Sequence, residues 1–101
     1  MARMAEHYII NRLIWKDSTS YSQGQKERIP TSWTAKTESL SITITKGHIY
    51  HKGEWVMHCF DVCMDTVPMK IPADTHPEMA QVEAIKMVHQ RLDILYSSLL
   101  T

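Results

Sequence analysis

Residues 54–64 read Glu54-Trp55-Val56-Met57-His58-Cys59-Phe60-Asp61-Val62-Cys63-Met64, and this stretch has the composition of a strand buried on both faces. At period two, Val56, His58, Phe60, Val62 and Met64 fall on one side. Trp55, Met57, Cys59, Asp61 and Cys63 fall on the other. An edge strand beside water alternates cleanly between apolar and polar residues, so a run this apolar is expected inside a sheet.

Working outward, Leu40, Ile42 and Ile44 alternate with Ser39, Ser41, Thr43 and Thr45, which predicts a strand with one dry face and one wet face. Residues 47–53, bounded by Gly47 and Gly53, read as the hairpin into the central strand, with Lys46, His48, His51 and Lys52 near its tip. Residues 66–71 can form a last strand, which Pro68 would confine to an edge. Beyond it, Thr75 and Glu78 fit a capping box with Pro77 in the first turn. Ile85, Val88, Leu92, Leu95 and Leu99 then recur at alternating spacings of three and four, widened by Ala84, Met87 and Ile94. That pattern predicts a helix over about 76–100 with a stripe broad enough to pack on a sheet.

Before the sheet signal, residues 7–16 (HYIINRLIWK) favour a strand by composition, although Met4, Tyr8, Asn11 and Trp15 also share a helix face. Residues 17–37 are rich in Ser, Thr and Gln, with Gly24 and Pro30 as breakers. They read as a long loop, either functional or hiding a short strand near 28–33. The fold class expected is α+β: one domain over 1–101, an antiparallel sheet of three or four strands, and one long C-terminal helix on one face. The helix is expected to meet Ile42, Ile44, Val56, Phe60 and Val62, with Leu92→Ala costing about 2–5 kcal/mol. Trp55, Met57, Cys59 and Cys63 would then lie on the opposite face, as a homodimer interface or under residues 1–37.

The chain has 101 residues, 44% hydrophobic and 22% charged, with eleven basic and eleven acidic side chains. Formal neutrality argues against a dedicated phosphate-backbone binder. The charge is uneven, however: residues 1–53 carry eight Lys/Arg against four Asp/Glu, and residues 54–101 carry three against seven. Glu6, Asn11 and Arg12 interrupt the early apolar residues, so no secretory leader is expected, and no run reaches transmembrane length. Two cysteines without a leader read as reduced thiols in a bacterial or infected-host cytoplasm, and Cys59 and Cys63 are both expected to be buried and unreactive.

His48, His51, His58, Cys59 and Cys63 are of the types zinc prefers, but on a strand Cys59 and Cys63 would stand ~13 Å apart, too far for one tetrahedral metal or a disulfide. Asp61 and Asp65 would be separated by the same ~13 Å, too far for a glycosidase-type pair. Cys63 with His76 or His89 is the remaining thiol-enzyme arrangement, with no local signature behind it. Gly24, Gly47 and Gly53 are scattered and form no phosphate loop. The reading is therefore of a non-enzyme with no cofactor and no metal. Its partner-binding residues are expected in the 21–36 segment, as Tyr21, Lys26, Arg28, Trp33 and Lys36, because Tyr, Trp and Arg dominate interface energetics and the lysines favour an acidic patch.

Two resemblances bear on function. If residues 7–16 were helical, the order α-β-β-β-α would resemble a double-stranded-RNA-binding domain, with Gly47-His48 where that family has a His-containing loop. The position of its phosphate-gripping Lys cluster reads Asp74-Thr75-His76-Pro77-Glu78 here, so nucleic acid ranks second. Separately, Ser32-Trp33-Thr34-Ala35, Leu40-Ser41-Ile42, Gly47-His48, Trp55-Val56-Met57 and Cys59 resemble small phage- and prophage-encoded proteins of unassigned role, over about a third of the chain. That resemblance carries over no functional residue. It implies an accessory protein that binds and blocks a host or competitor protein, such as an inhibitor of a bacterial defence system.

Overall fold

The alternating Ser41–Lys46 segment and its partner at Glu54–Cys59 form the middle of the sheet in the computed structural model, which describes residues 12–21 and 29–100. Five antiparallel strands stand in chain order: β1 (Trp15–Asp17), β2 (Ser32–Lys36), β3 (Ser41–Lys46), β4 (Glu54–Cys59) and β5 (Met64–Pro72). A 22-residue helix, α1 (Pro77–Ser98), follows and packs on one face. The class is α+β as expected, with one strand more than the upper estimate. The extra strand is β2, which overlaps the short strand that residues 28–33 were expected to hide. β2 occupies the end of the stretch read as loop, so the connection between β1 and β2 is confined to 18–31. Residues 7–11, the rest of the strand-or-helix segment, lie outside the described residues.

The β3–β4 hairpin forms where expected, entered through Gly47 at φ 81° and left through Gly53 at φ 87°, left-handed conformations that a side chain would strain. β5 is an edge strand that contains Pro68, also as expected.

The central stretch is not one strand. β4 ends at Cys59; Phe60–Val62 form a single 3-10 turn, and Cys63 closes it in the left-handed region at φ 62°. The turn reverses the chain, so that Cys59 pairs with Met64 across the β4–β5 connection. Phe60, expected in the core, is 69% exposed, whereas Val62 and Met64 are buried.

The helix covers Ile42 and Ile44 of β3 and Val62, as expected, but the parity of β4 is reversed: Trp55, Met57 and Cys59, not Val56 and Phe60, lie on that side. Pairing places Ile44 across from Met57 and Trp33, Ile42 across from Ala35, and Val67 across from Met57. These side chains share the side of the sheet that carries Trp55 and Cys59, and α1 adds Ala80, Ala84 and Val88 to the same cluster. Trp55, Met57 and Cys59 are therefore 0% exposed beneath the helix and cannot form a dimer face. Trp15 and Trp33 pack against the margin of this same core. Ala80 and Ala84 explain the close docking, since their methyl groups leave room for the Trp55 and Met57 side chains.

Two hydrogen bonds anchor the helix. Trp55 Nε1 donates to Thr75 O at 3.2 Å before the first turn, and Arg91 Nε donates to Val62 O at 3.0 Å in the fourth. The N-cap is His76, not Thr75: its Nδ1 accepts from the Glu78 N–H at 3.2 Å, with Pro77 at N1. The buried stripe is also shifted from the one expected. It runs along Ala80, Ala84 and Val88, while Leu92 is 40% exposed.

Candidate binding surface

With α1 on one side, the other side of the sheet is lined by the residues between the core positions. Lys16 lies across from Thr34, Thr34 from Thr43, Ser32 from Thr45, and Thr43 from His58. The result is a hydroxyl ladder: Thr34 Oγ1 donates to Ser18 Oγ at 2.9 Å and lies 2.9 Å from Thr43 Oγ1, while Ser32 Oγ and Thr45 Oγ1 are 2.6 Å apart. β-branched and hydroxyl side chains satisfy one another on a pleated surface, which keeps the middle of this face polar.

At its β1–β2 margin the ladder opens into a cleft of about 510 Å³ lined by Ile14, Lys16, Ser18, Thr34 and Lys36. Two exposed ammonium groups, paired hydroxyls and one exposed apolar side chain can hold an acidic group and cover its aliphatic neighbours. The sheet order reinforces this. Strands stand in chain order, so the uneven charge of the sequence becomes a spatial one. Among described residues, 12–53 carry five Lys/Arg against two Asp/Glu, and 54–100 carry three against seven.

Of the residues singled out in the sequence, Lys36 lies in this cleft. Trp33 points the other way: it is half-buried against the core, its ring 5.7 Å from that of Trp55. Tyr21 donates its hydroxyl to Asp17 Oδ2, which ties the chain after β1 back onto the end of that strand. Lys26 and Arg28 lie outside the described residues. Ser18 and Thr34 escaped sequence reasoning. Their signal was the polar parity of Ser32-Thr34-Lys36, which is legible only once β2 is recognised as a strand.

The groups considered for chemistry are engaged elsewhere. Asp61 Oδ2 accepts from the Ser41 N–H at 2.8 Å, pinning the 3-10 turn to β3. His58 Nδ1 accepts from the Thr66 N–H at 3.0 Å and lies 3.4 Å from Asp65 Oδ1. His48 and His51 lie at the hairpin tip, at the far end of β4 from Cys59, with tilted rings whose centroids are 5.4 Å apart. Among the described residues no three His, Cys, Asp or Glu side chains are grouped to hold a metal ion. Lys46 lies 5.6 Å from the Trp55 ring centroid, on the helix-covered face.

Cys59 is buried, and burial, with Asp61 adding to it, pushes its thiol above the ordinary range. Cys63 is exposed, a correction to the expectation that both thiols are buried. Asp17 is held below the usual carboxylate value by hydrogen bonds from Thr19 and Tyr21.

No protein-family model, curated protein or solved structure matches this chain. No helix among the described residues is long and apolar enough to cross a membrane.

Proposed function

We propose that the chain is a small non-enzymatic protein-binding module, and that it captures an acidic patch of a partner protein at the β1–β2 margin of the open sheet face. The observation that carries this reading is the cleft between Lys16 and Lys36, which stands on the basic side of a charge-segregated molecule. Charge segregation of this kind raises encounter rates with an acidic partner and orients the approach. The reading as a non-enzyme is supported by the structural employment of Asp61, His58 and Cys59. The resemblance to phage and prophage proteins fits an inhibitor or modulator of a bacterial host protein or defence system, acting in the bacterial cytoplasm.

A nucleic-acid reading is less well supported. Lys46 is occupied over Trp55, and β1 and β2 stand where the α-β-β-β-α order needs a helix and a loop. The test is capture from a bacterial lysate, with and without nuclease, by the native chain and by Lys16→Glu/Lys36→Glu. Capture of a protein that survives nuclease and is lost in the double variant supports the proposal. Equal capture by the double variant moves the site elsewhere, and loss on nuclease treatment transfers the reading to nucleic acid.

A further inference from the structure

The helix is longer than the sheet it covers. Its 22 residues span roughly 33 Å, while the six-residue strands β3 and β4 span roughly 20 Å. The Arg91–Val62 hydrogen bond ties α1 to the β4–β5 turn. Past that point Leu95 still touches the core cluster, but Leu92, Tyr96, Leu99 and Leu100 are exposed, Leu99 by 80%. This end is ordered: Ser98 Oγ donates to Leu95 O at 2.7 Å, and the Leu99 and Leu100 N–H groups close back onto Tyr96 O and Ser97 O.

The exposed leucines are not scattered. Leu92 and Leu99 belong to the three-four alternation Ile85, Val88, Leu92, Leu95, Leu99, in which Val88 and Leu95 pack on the core while Leu92 and Leu99 are exposed among the described residues. Such a seam is complementary to itself, because knobs from one helix fill the spaces between knobs of an identical one. Residues 94–100 carry no charge, and 92–100 hold a single charged side chain, Asp93, and no cation to receive an acidic or phosphate-bearing partner.

We propose that the occupant of this seam is a second copy of the chain, its helix lying antiparallel over residues 92–100 with the two-fold axis near Leu95 and Tyr96. The antiparallel arrangement sets the two sheets at opposite ends of the overlap and leaves both Lys16–Lys36 clefts open. The seam offers apolar surface on the order of 500 Å² per copy, so the pair buries about 1,000 Å², the lower bound of a specific interface. The dimer is accordingly weak, with a Kd of about 10–100 µM.

Sedimentation equilibrium of the full chain from about 1 µM to about 1 mM tests this. The mass should rise from 11.7 kDa toward twice that value, and Leu99→Glu, at a position too exposed to unfold the domain, should weaken self-association at least about 100-fold. In a Cys63→Ser background, Tyr96→Cys should form an intermolecular disulfide on air oxidation, whereas Glu83→Cys, two turns before the overlap, should not. A concentration-independent monomer overturns the proposal. So does a dimer that is indifferent to Leu99→Glu.

Discussion

Cys59 is where the sheet changes phase. Up to that residue the odd-numbered positions Trp55 and Met57 face the helix; after the 3-10 turn Val62 and Met64 do. A period-two reading extended through the turn therefore separates Val62 and Met64 from Trp55 and Met57, with which they share the core, and places Phe60 in a core from which the turn removes it. Apolar content across 54–64 was legible in the sequence. The turn was not, because it contains no Gly or Pro: Asp61 bonding to the Ser41 N–H and Cys63 at φ 62° supply the geometry instead. Burial decides the mutational pattern. Met57→Ala, at 0% exposure, should cost about 2–5 kcal/mol in denaturant unfolding. Leu92→Ala should cost less than about 1 kcal/mol in dilute solution, a reversal of the sequence-based ranking. Cys59 adds a pH dependence. Burial holds its folded pKa above the ordinary thiol value of 9.0, so the folded state retains a proton the unfolded chain releases. The contribution is complete below pH 9.0 and lost progressively above it, and Cys59→Ala should flatten that alkaline decline in urea midpoint.

At the scale of elements, the helix was the best-marked feature, since Pro77 and the apolar repeat locate it from sequence alone. Its cap and its buried stripe were less legible. Thr75 has the side chain of an N-cap, yet its backbone carbonyl is held by the Trp55 indole, and the cap passes to His76 Nδ1. His76→Ala should therefore cost about 0.5–2 kcal/mol, and Thr75→Ala less than about 0.5 kcal/mol, in thermal or denaturant unfolding. The sequence-based stripe was centred on leucines, but close packing over Trp55 selects alanines, and Ala80 and Ala84 occupy the contact. Ala84→Leu should overpack this site and cost about 1–3 kcal/mol. β2 was hidden for a different reason. Its Ser-Trp-Thr-Ala-Lys sequence alternates, but with only two apolar residues, so composition alone reads as loop.

For the whole molecule, chain-order strand topology turns a charge asymmetry along the sequence into one across the surface. The asymmetry was legible in the sequence, whereas its functional meaning depended on the strand order. The cleft joins Lys36, which sequence reasoning had singled out as a partner contact, to Lys16 at the edge of the same segment. Lys16→Glu/Lys36→Glu should leave stability within about 0.5 kcal/mol, because both side chains are exposed, while abolishing capture of an acidic partner. The partner-binding surface and the helix seam occupy different parts of the fold, so the Leu99→Glu variant should retain capture.

Thiol labelling reads directly which side of the sheet the helix covers. In a Cys63→Ser background, Cys59 should react with an alkylating probe only as fast as the domain unfolds, because it is 0% exposed. Thr43→Cys in a Cys59→Ala/Cys63→Ser background places the thiol on the open face, on the neighbouring strand, and it should label orders of magnitude faster under native conditions. Rapid labelling of Cys59 with protection of the cysteine at position 43 would put the helix on the other face and contradict the account.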